Sequence, residues 1–430
     1  MKIKIHRGIS QVGGCITEIA SESGSKILID LGHNLPIGDE PSFDKYDNKA
    51  ELDRLLSGVS DIYYTHYHGD HISFEGRIDD RIIQHIGALS KNMLITLKEH
   101  MNKAPGLEEL ASKDLDAIKK FKIYEAGKSE RVGDIEITPF YVSHSAIDAH
   151  MFLIKCDKKT ILHTGDFRNH GWMGGALLKN IDWNILRKNP VDILITEGTM
   201  LNRGDSRVIS EKQLLFKAKG IMKKHKYAFV LCSSMDIDRI ASFYYANKFL
   251  KKGRLFVTDT YQIKQFKNIR EKLNKFYGEV YAKNIQHNRS QLLMEMKEKG
   301  FTMLVRNSNT FNNLLKLIVP QIDLNETVFF YSQFSGYLDS KHKAFKKSLY
   351  DFVHAYDWEK EEIHTSGHAS RQTLAEVCEH VNPKLAIIPI HREAETDFRS
   401  LEIKDELKLK VVTNSIYLDG VEIEVSNPKI

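Results

Sequence analysis

The run Tyr64-Thr65-His66-Tyr67-His68-Gly69-Asp70-His71 packs three imidazoles and one carboxylate into six residues. Four such donors cannot be buried together without a cation between them, because unpaired polar groups are costly inside a protein. Neutral imidazole nitrogen and carboxylate oxygen are the donors that zinc and similar divalent ions take. The preceding Asp61-Ile62-Tyr63-Tyr64 is apolar and aromatic, and reads as a buried strand that delivers the loop to a fixed place. Residues two apart on an extended segment face the same side, so His66 and His68 are set to chelate one ion. Asp70 and His71, past the Gly69 turn, swing toward a second. One loop cannot complete two coordination shells, which predicts that His and Asp recur at the tips of later strands.

The chain around this loop has 430 residues, 42% hydrophobic and 28% charged, enough for a sizeable core and two or three domains. The start, Met1-Lys2-Ile3-Lys4-Ile5, is basic but is not followed by the apolar core of a signal peptide, and no run of roughly eighteen apolar residues occurs. The expectation is a cytoplasmic protein without a membrane partner. Cys15, Cys156, Cys232 and Cys378 stand far apart, which points to small buried hydrophobes rather than a thiolate zinc site or a disulfide framework. Lys and Arg exceed Asp and Glu between Arg207 and Lys360 by more than the +5 of the whole chain, so the flanking parts are net acidic. A basic middle region of this kind points to a polyanion partner.

Read in order, Lys2–Ile5, Cys15–Ser21 and Lys26–Asp30 are expected strands, with turns at Gly13-Gly14 and Ser23-Gly24. Residues 49 to 56 suit a helix, residues 81 to 87 a strand or short helix, and Leu107–Lys120 a helix with acids early and lysines late. Strands resume at residues 135 to 140, and Val142-Ser143-His144 follows. The strand Thr160–His163 runs into Thr164-Gly165-Asp166, and Val191–Thr196 runs into Glu197. His144 and Asp166, each just past a strand, are the donors that the first loop requires. Alternating apolar strands and helices from Ser210 to Tyr331 predict a second α/β unit with a parallel sheet. Near the end, Ile363-His364-Thr365-Ser366-Gly367-His368 precedes a helix from about Arg371, and Leu385–Ile390 is a buried strand with His391 at its tip. Hydroxyls and backbone amides before a helix suit a phosphate.

Assembled, these residues resemble the metallo-β-lactamase fold and, within it, the β-CASP nucleases, most closely ribonuclease J and the cleavage-factor endonucleases. The family's His-x-His-x-Asp-His motif stands at His66, His68, Asp70 and His71, with the later ligand positions at His144 and Asp166. β-CASP motif A corresponds to Glu197, motif B to His368 and motif C to His391. The resemblance covers essentially the whole chain. It implies an α/β architecture: an αββα sandwich from residues 1–205, completed by 364–430, with an α/β β-CASP cap inserted at 206–363 and the active site in the cleft between them. Where ribonuclease J has Gly-Glu after motif C this chain has Arg392-Glu393, and the expectation is that ribonuclease J's additional C-terminal domain is absent.

The function implied is that of a metal-dependent ribonuclease for RNA processing, hydrolysing phosphodiesters with a hydroxide activated by two divalent ions, zinc or manganese. His66, His68 and His144 are assigned to one ion and Asp70, His71 and His391 to the other, with Asp166 bridging. Glu197 and His368 remain as a carboxylate–imidazole pair for general acid catalysis. Ser366 and His364 are assigned to a substrate phosphate. His at motif C, where DNA-cleaving relatives carry Val, tilts the substrate toward single-stranded RNA. A DNA nuclease of the same family and a small-molecule thioester or lactone hydrolase stand as alternatives, and self-association into a homo-oligomer is left open.

Overall fold

The computed structural model describes residues 1–104, 106–203, 208–250, 253–273 and 275–426. The expected boundary at residues 205 and 206 lies outside them. The chain divides into two compact units: Met1–Leu35, Ser42–Arg207 and Gly367–Ile430 form one, and Pro36–Pro41 with Val208–Ser366 the other.

In the first unit, alternating apolar residues build two sheets. One has, in spatial order, strands Ile416–Leu418, Val421–Val425, Lys2–Arg7, Ile16–Ala20, Lys26–Ile29, Asp61–Tyr63, Ile83–Ile86 and Lys122–Ile123. The other runs Ala386–Ile390, Ile193–Glu197, Lys159–His163, Ala149–Cys156, Ile135–Val142, Glu130–Val132. Ile3, Ile5, Ile19 and Ile27 of the first sheet share one buried cluster with Ile137, Phe152, Ile154, Ile193 and Ile388 of the second, so the sheets pack face to face. The opposite face of the second sheet is covered by helices Leu177–Ile181 and Arg371–Val381, through Leu177, Leu374 and Val377 against Leu162, Leu194 and Ile387.

The register brings strand tips together. Lys159–His163, Ile193–Glu197 and Ala386–Ile390 are mutually parallel, pairing His163 with Ile195 and Glu197 with Ile390. Asp166, Glu197 and His391 therefore leave the sheet at one edge, the carboxyl ends of parallel strands, where α/β sheets bind ligands. In the other sheet Lys26–Ile29 runs parallel to Asp61–Tyr63, with Ile29 opposite Tyr63, so Asp30 emerges beside the histidine loop. Gly32 allows this approach: a Cβ there would lie 1.8 Å from the Asp70 carbonyl oxygen.

Helix Ala88–Met101 has no start signal of its own in the sequence. Its N-cap, Gly87, offers no side chain, and the Asp148 carboxylate supplies the missing acceptor to the Leu89 and Ser90 amides at 2.9 Å each. Burial pushes the Asp148 carboxyl up to about 6.

The second unit holds a six-stranded, all-parallel sheet in the order Lys283–Asn284, Leu255–Thr258, Phe301–Val305, Tyr227–Cys232, Thr327–Ser332, Glu359–Glu362. Tyr227–Cys232 and Thr327–Ser332 are buried at every residue, as strands covered on both faces must be. Helix Glu211–Met222 opens on a capping box, in which Ser210 and Gln213 exchange hydrogen bonds. Arg239 and Glu211 form a fully buried ion pair at 3.0 Å.

Candidate metal centre

The loop after Asp61–Tyr63 places His66 and His71 in full burial and leaves His68 and Asp70 partly exposed. Among the described residues, four groupings of side chains could each hold an ion: His66, His68 and His144; His66, His71 and Asp166; Asp166, Glu197, His368 and His391; and Cys15, His71 and His391. In each, the ligand atoms lie within 4.8 Å of one another. The Asp166 Oδ2 atom lies 3.1 Å from His71 Nε2, 3.6 Å from His391 Nε2, 3.6 Å from His368 Nδ1 and 3.9 Å from His144 Nε2. One carboxylate oxygen is thus ringed by imidazoles from four separate segments. Asp70 Oδ2 lies 3.2 Å from His391 Nε2.

The rings of His71 and His144 are each held by the other nitrogen. His71 Nδ1–H donates to Asp30 at 2.7 Å, and His144 Nδ1–H donates to the Gly367 carbonyl at 2.6 Å. Both therefore turn Nε2 toward the cluster, as the outer partners of metal-binding imidazoles make them do. His66 has Thr65 Oγ1 at 3.0 Å from Nδ1, and its buried Nε2 has no hydrogen-bond partner among the described residues. His71 Nε2, although 3.1 Å from Asp166, is not in hydrogen-bond alignment with it. Buried nitrogens left unsatisfied and converging on a carboxylate are what a cation would satisfy, so the residues present fit a divalent metal.

The charges agree. Burial drives the His66 and His144 imidazoles well below their ordinary range and brings His68 down to about 4, which keeps them neutral and able to donate lone pairs. His71 is pulled down by burial, but Asp166 and Asp30 more than reverse this and raise it overall. Against the cost of burial, His391, His71 and His368 hold the Asp166 carboxyl far below the ordinary range.

Beside the ring of donors, His368 Nδ1 lies 3.0 Å from Glu197 Oε2, and the other Glu197 oxygen accepts from the Phe167 and Ala369 amides at 2.9 and 3.2 Å. Burial lowers the His368 imidazole, but Glu197 and Asp166 raise it overall. Gly367 permits the fit: a Cβ there would stand 2.4 Å from Ser145 Oγ.

His66, His68, Asp70, His71, His144, Asp166, Glu197, His368 and His391 thus gather within the first unit. Ser366 and His364 belong to the second unit, and His364 Nδ1 accepts from the Arg239 guanidinium at 3.0 Å. Neither is among the grouped donors. All four cysteines are buried and free. Cys15 is more than a small hydrophobe, since its sulfur lies with His71 and His391, although burial holds the thiol protonated. Three residues of the site escape a reading of the sequence: Asp30, Thr65 and Thr199. For Asp30 the sign is an acid directly after a buried strand. Thr65 and Thr199 carry no sign in the sequence.

No family model matches the chain. It is similar to the exodeoxyribonuclease WalJ of two strains of Streptococcus pneumoniae, each 27% identical over 165 residues, which is 38% of this chain and 56% of the relative. The chain thus spans about half the length of these curated relatives. Its fold is similar to that of a crystallised protein of unknown function from Enterococcus faecalis, with a TM-score of 0.66 and 18% identity over 93% of this chain and 96% of that one. No helix among the described residues is long and apolar enough to cross a membrane. The chain has a mixed α/β architecture with several potential metal-binding clusters.

Proposed function

We propose that this chain is a metal-dependent nuclease of the metallo-β-lactamase fold, with its second unit as a β-CASP-type insert, hydrolysing phosphodiester bonds of nucleic acid. The observation that carries the reading is the Asp166 carboxylate ringed by four imidazoles, with the His368–Glu197 pair 3.0 Å long beside it. His66, His68 and His144 would hold one divalent ion and Asp70, His71 and His391 the other, with Asp166 shared. Two such ions, zinc or manganese, lower the pKa of water toward about 7 and supply positive charge to the oxygens of an in-line displacement.

The chain's own groups do the rest. Asp30 and the Gly367 carbonyl hold His71 and His144 in the tautomer that presents Nε2. Glu197 fixes the Nδ1 edge of His368 and favours its charged form, which leaves Nε2 to give a proton to the leaving oxygen. Ser366 and His364, in the second unit, are assigned to a substrate phosphate, a role that rests on the family resemblance.

The basic excess of the second unit supports a polyanionic substrate over a thioester or lactone. Similarity to exodeoxyribonucleases favours DNA, whereas His391 at motif C favours RNA by resemblance. DNA is the first substrate to assay. Purified protein is incubated with end-labelled DNA and RNA strands, with and without a 5′-phosphate, in zinc, manganese or chelator. Chelator-sensitive cleavage of either polymer is expected, and failure to cut both under every metal condition refutes the reading.

A further inference from the structure

We propose that Thr199 is a positioning residue whose hydroxyl joins the ring of His391 to that of His368, so that one hydrogen-bond junction sets both a metal ligand and the proton donor. This rests on the nuclease reading above.

Thr199 is buried two residues past Glu197, at the tip of strand Ile193–Glu197. Its Oγ1 lies 2.7 Å from His391 Nδ1, 3.1 Å from the His391 carbonyl oxygen and 3.2 Å from His368 Nδ1. A hydroxyl has one proton and two lone pairs. Of the three neighbours only the carbonyl can do nothing but accept, so the hydroxyl donates there. Oγ1 then accepts the Nδ1–H of His391. That leaves the lone pair of His391 on Nε2, which lies 3.2 Å from Asp70 Oδ2 and 3.6 Å from Asp166 Oδ2, in the midst of the other donors. The remaining lone pair of Oγ1 faces His368 Nδ1, whose proton also points to Glu197 at 3.0 Å. Both sides of that nitrogen are committed, and Nε2 is the edge of His368 turned away from them.

The same hydroxyl steadies the backbone. His391 has φ +51, a left-handed conformation that side chains disfavour, and the bond from Thr199 to its carbonyl helps to hold it there. Without the hydroxyl, His391 Nδ1–H would be buried with no acceptor, and the ring would gain by moving its proton to Nε2. That shift removes the lone pair needed for an ion.

The test is Thr199→Val, which keeps the side-chain shape and removes the hydroxyl, beside Thr199→Ser, which keeps the hydroxyl. Metal-free protein is titrated with Zn2+ against a chromophoric chelator, and turnover of labelled DNA and RNA is measured at saturating Zn2+. Thr199→Val should weaken one of the two ions by about 10–100-fold, the usual size for an outer partner of a ligand, and leave the other unchanged. It should also cut more slowly at saturating metal. Thr199→Ser should restore both properties. Unchanged affinity for both ions in Thr199→Val, equal weakening of both, or a serine variant as impaired as the valine one would overturn the proposal. If the valine variant lacks a cooperative melt, Thr199→Ala is titrated and judged by the same outcomes. A wild-type protein that binds Zn2+ but cuts no nucleic acid would sink the nuclease reading, while the titration would still decide on Thr199.

Discussion

Asp30→Asn tests whether the cluster is a metal site through a residue that needs to touch no metal. Asp30 is fully buried, at φ +60, a conformation asparagine tolerates, so the substitution keeps both backbone and shape. The carboxylate accepts from three donors: the Thr65 amide at 2.7 Å, the Thr65 hydroxyl at 2.9 Å and His71 Nδ1–H at 2.7 Å. Asparagine has one accepting oxygen. If that oxygen keeps the Thr65 amide, its NH2 confronts His71 Nδ1–H, and the imidazole escapes the clash by carrying its proton on Nε2. The lone pair directed at Asp166 is then lost. The opposite amide orientation sets NH2 against the Thr65 amide and strains the loop that bears His66. The first orientation removes the partner of His71, which costs about 10–100-fold in metal affinity, or about 1.4–2.7 kcal/mol, and the second disturbs the loop that carries the donors. The assay is competition titration of metal-free wild-type and variant protein with Zn2+, with a thermal melt of each. Wild-type affinity in a variant that melts as the wild type does would show that Asp30 supports no metal ligand.

His368→Ala should retain both ions and bind substrate nearly normally, yet cut about 10²–10⁴-fold more slowly, whereas His391→Ala should weaken one ion; a substrate with sulfur at the leaving position should rescue the first variant and not the second. Chelator-treated protein should lose cleavage and melt at a lower temperature, and Zn2+ at about 100 times its Kd should restore about 2.7 kcal/mol of stability in a denaturant titration. Charge reversal at the exposed Lys341 and Lys343 should flatten the salt dependence of single-strand binding, by about 0.7 in the log–log slope for each phosphate no longer neutralised. The Asp148 carboxyl is raised by burial to about 6 in the fold. As the pH climbs from about 4 to about 6, the unfolded chain gives up this proton and the fold keeps it, so stability contributed by Asp148 falls. Denaturant titrations over that range should show the fall in wild type and a shallower one in Asp148→Asn.

The grouped donors were legible because a His-x-His-x-Asp-His loop leaves little choice of chemistry, and because His144, Asp166, Glu197 and His391 each follow an apolar strand. Parallel register then decides which tips meet, and no local pattern encodes that. Asp30 and Thr199 are ordinary residues in sequence and become partners of the grouped donors only when Ile29 pairs with Tyr63 and Glu197 with Ile390. Strand Glu359–Glu362, Glu-Lys-Glu-Glu, reads as a solvated charge run. It forms because its backbone completes the edge of the parallel sheet against Val328–Tyr331, while its side chains stay largely in water. Helix Ala88–Met101 is hard to see in the sequence because its capping acid comes from Asp148, far along the chain.

Asp70 and His391 approach to 3.2 Å although 321 positions separate them. At a synthesis rate of about 5–20 residues per second, the histidine loop leaves the ribosome about 16–64 s before its last partner does. In that interval the Val208–Ser366 part of the second unit, with its parallel sheet, is made. Ions captured early meet only part of the donor set, and the set closes when strand Ala386–Ile390 adds to the free edge of Ile193–Glu197. The full donor set thereby exists only late in biogenesis. A chain cut short before residue 386 keeps the histidine loop but lacks His391, so the full donor set never closes.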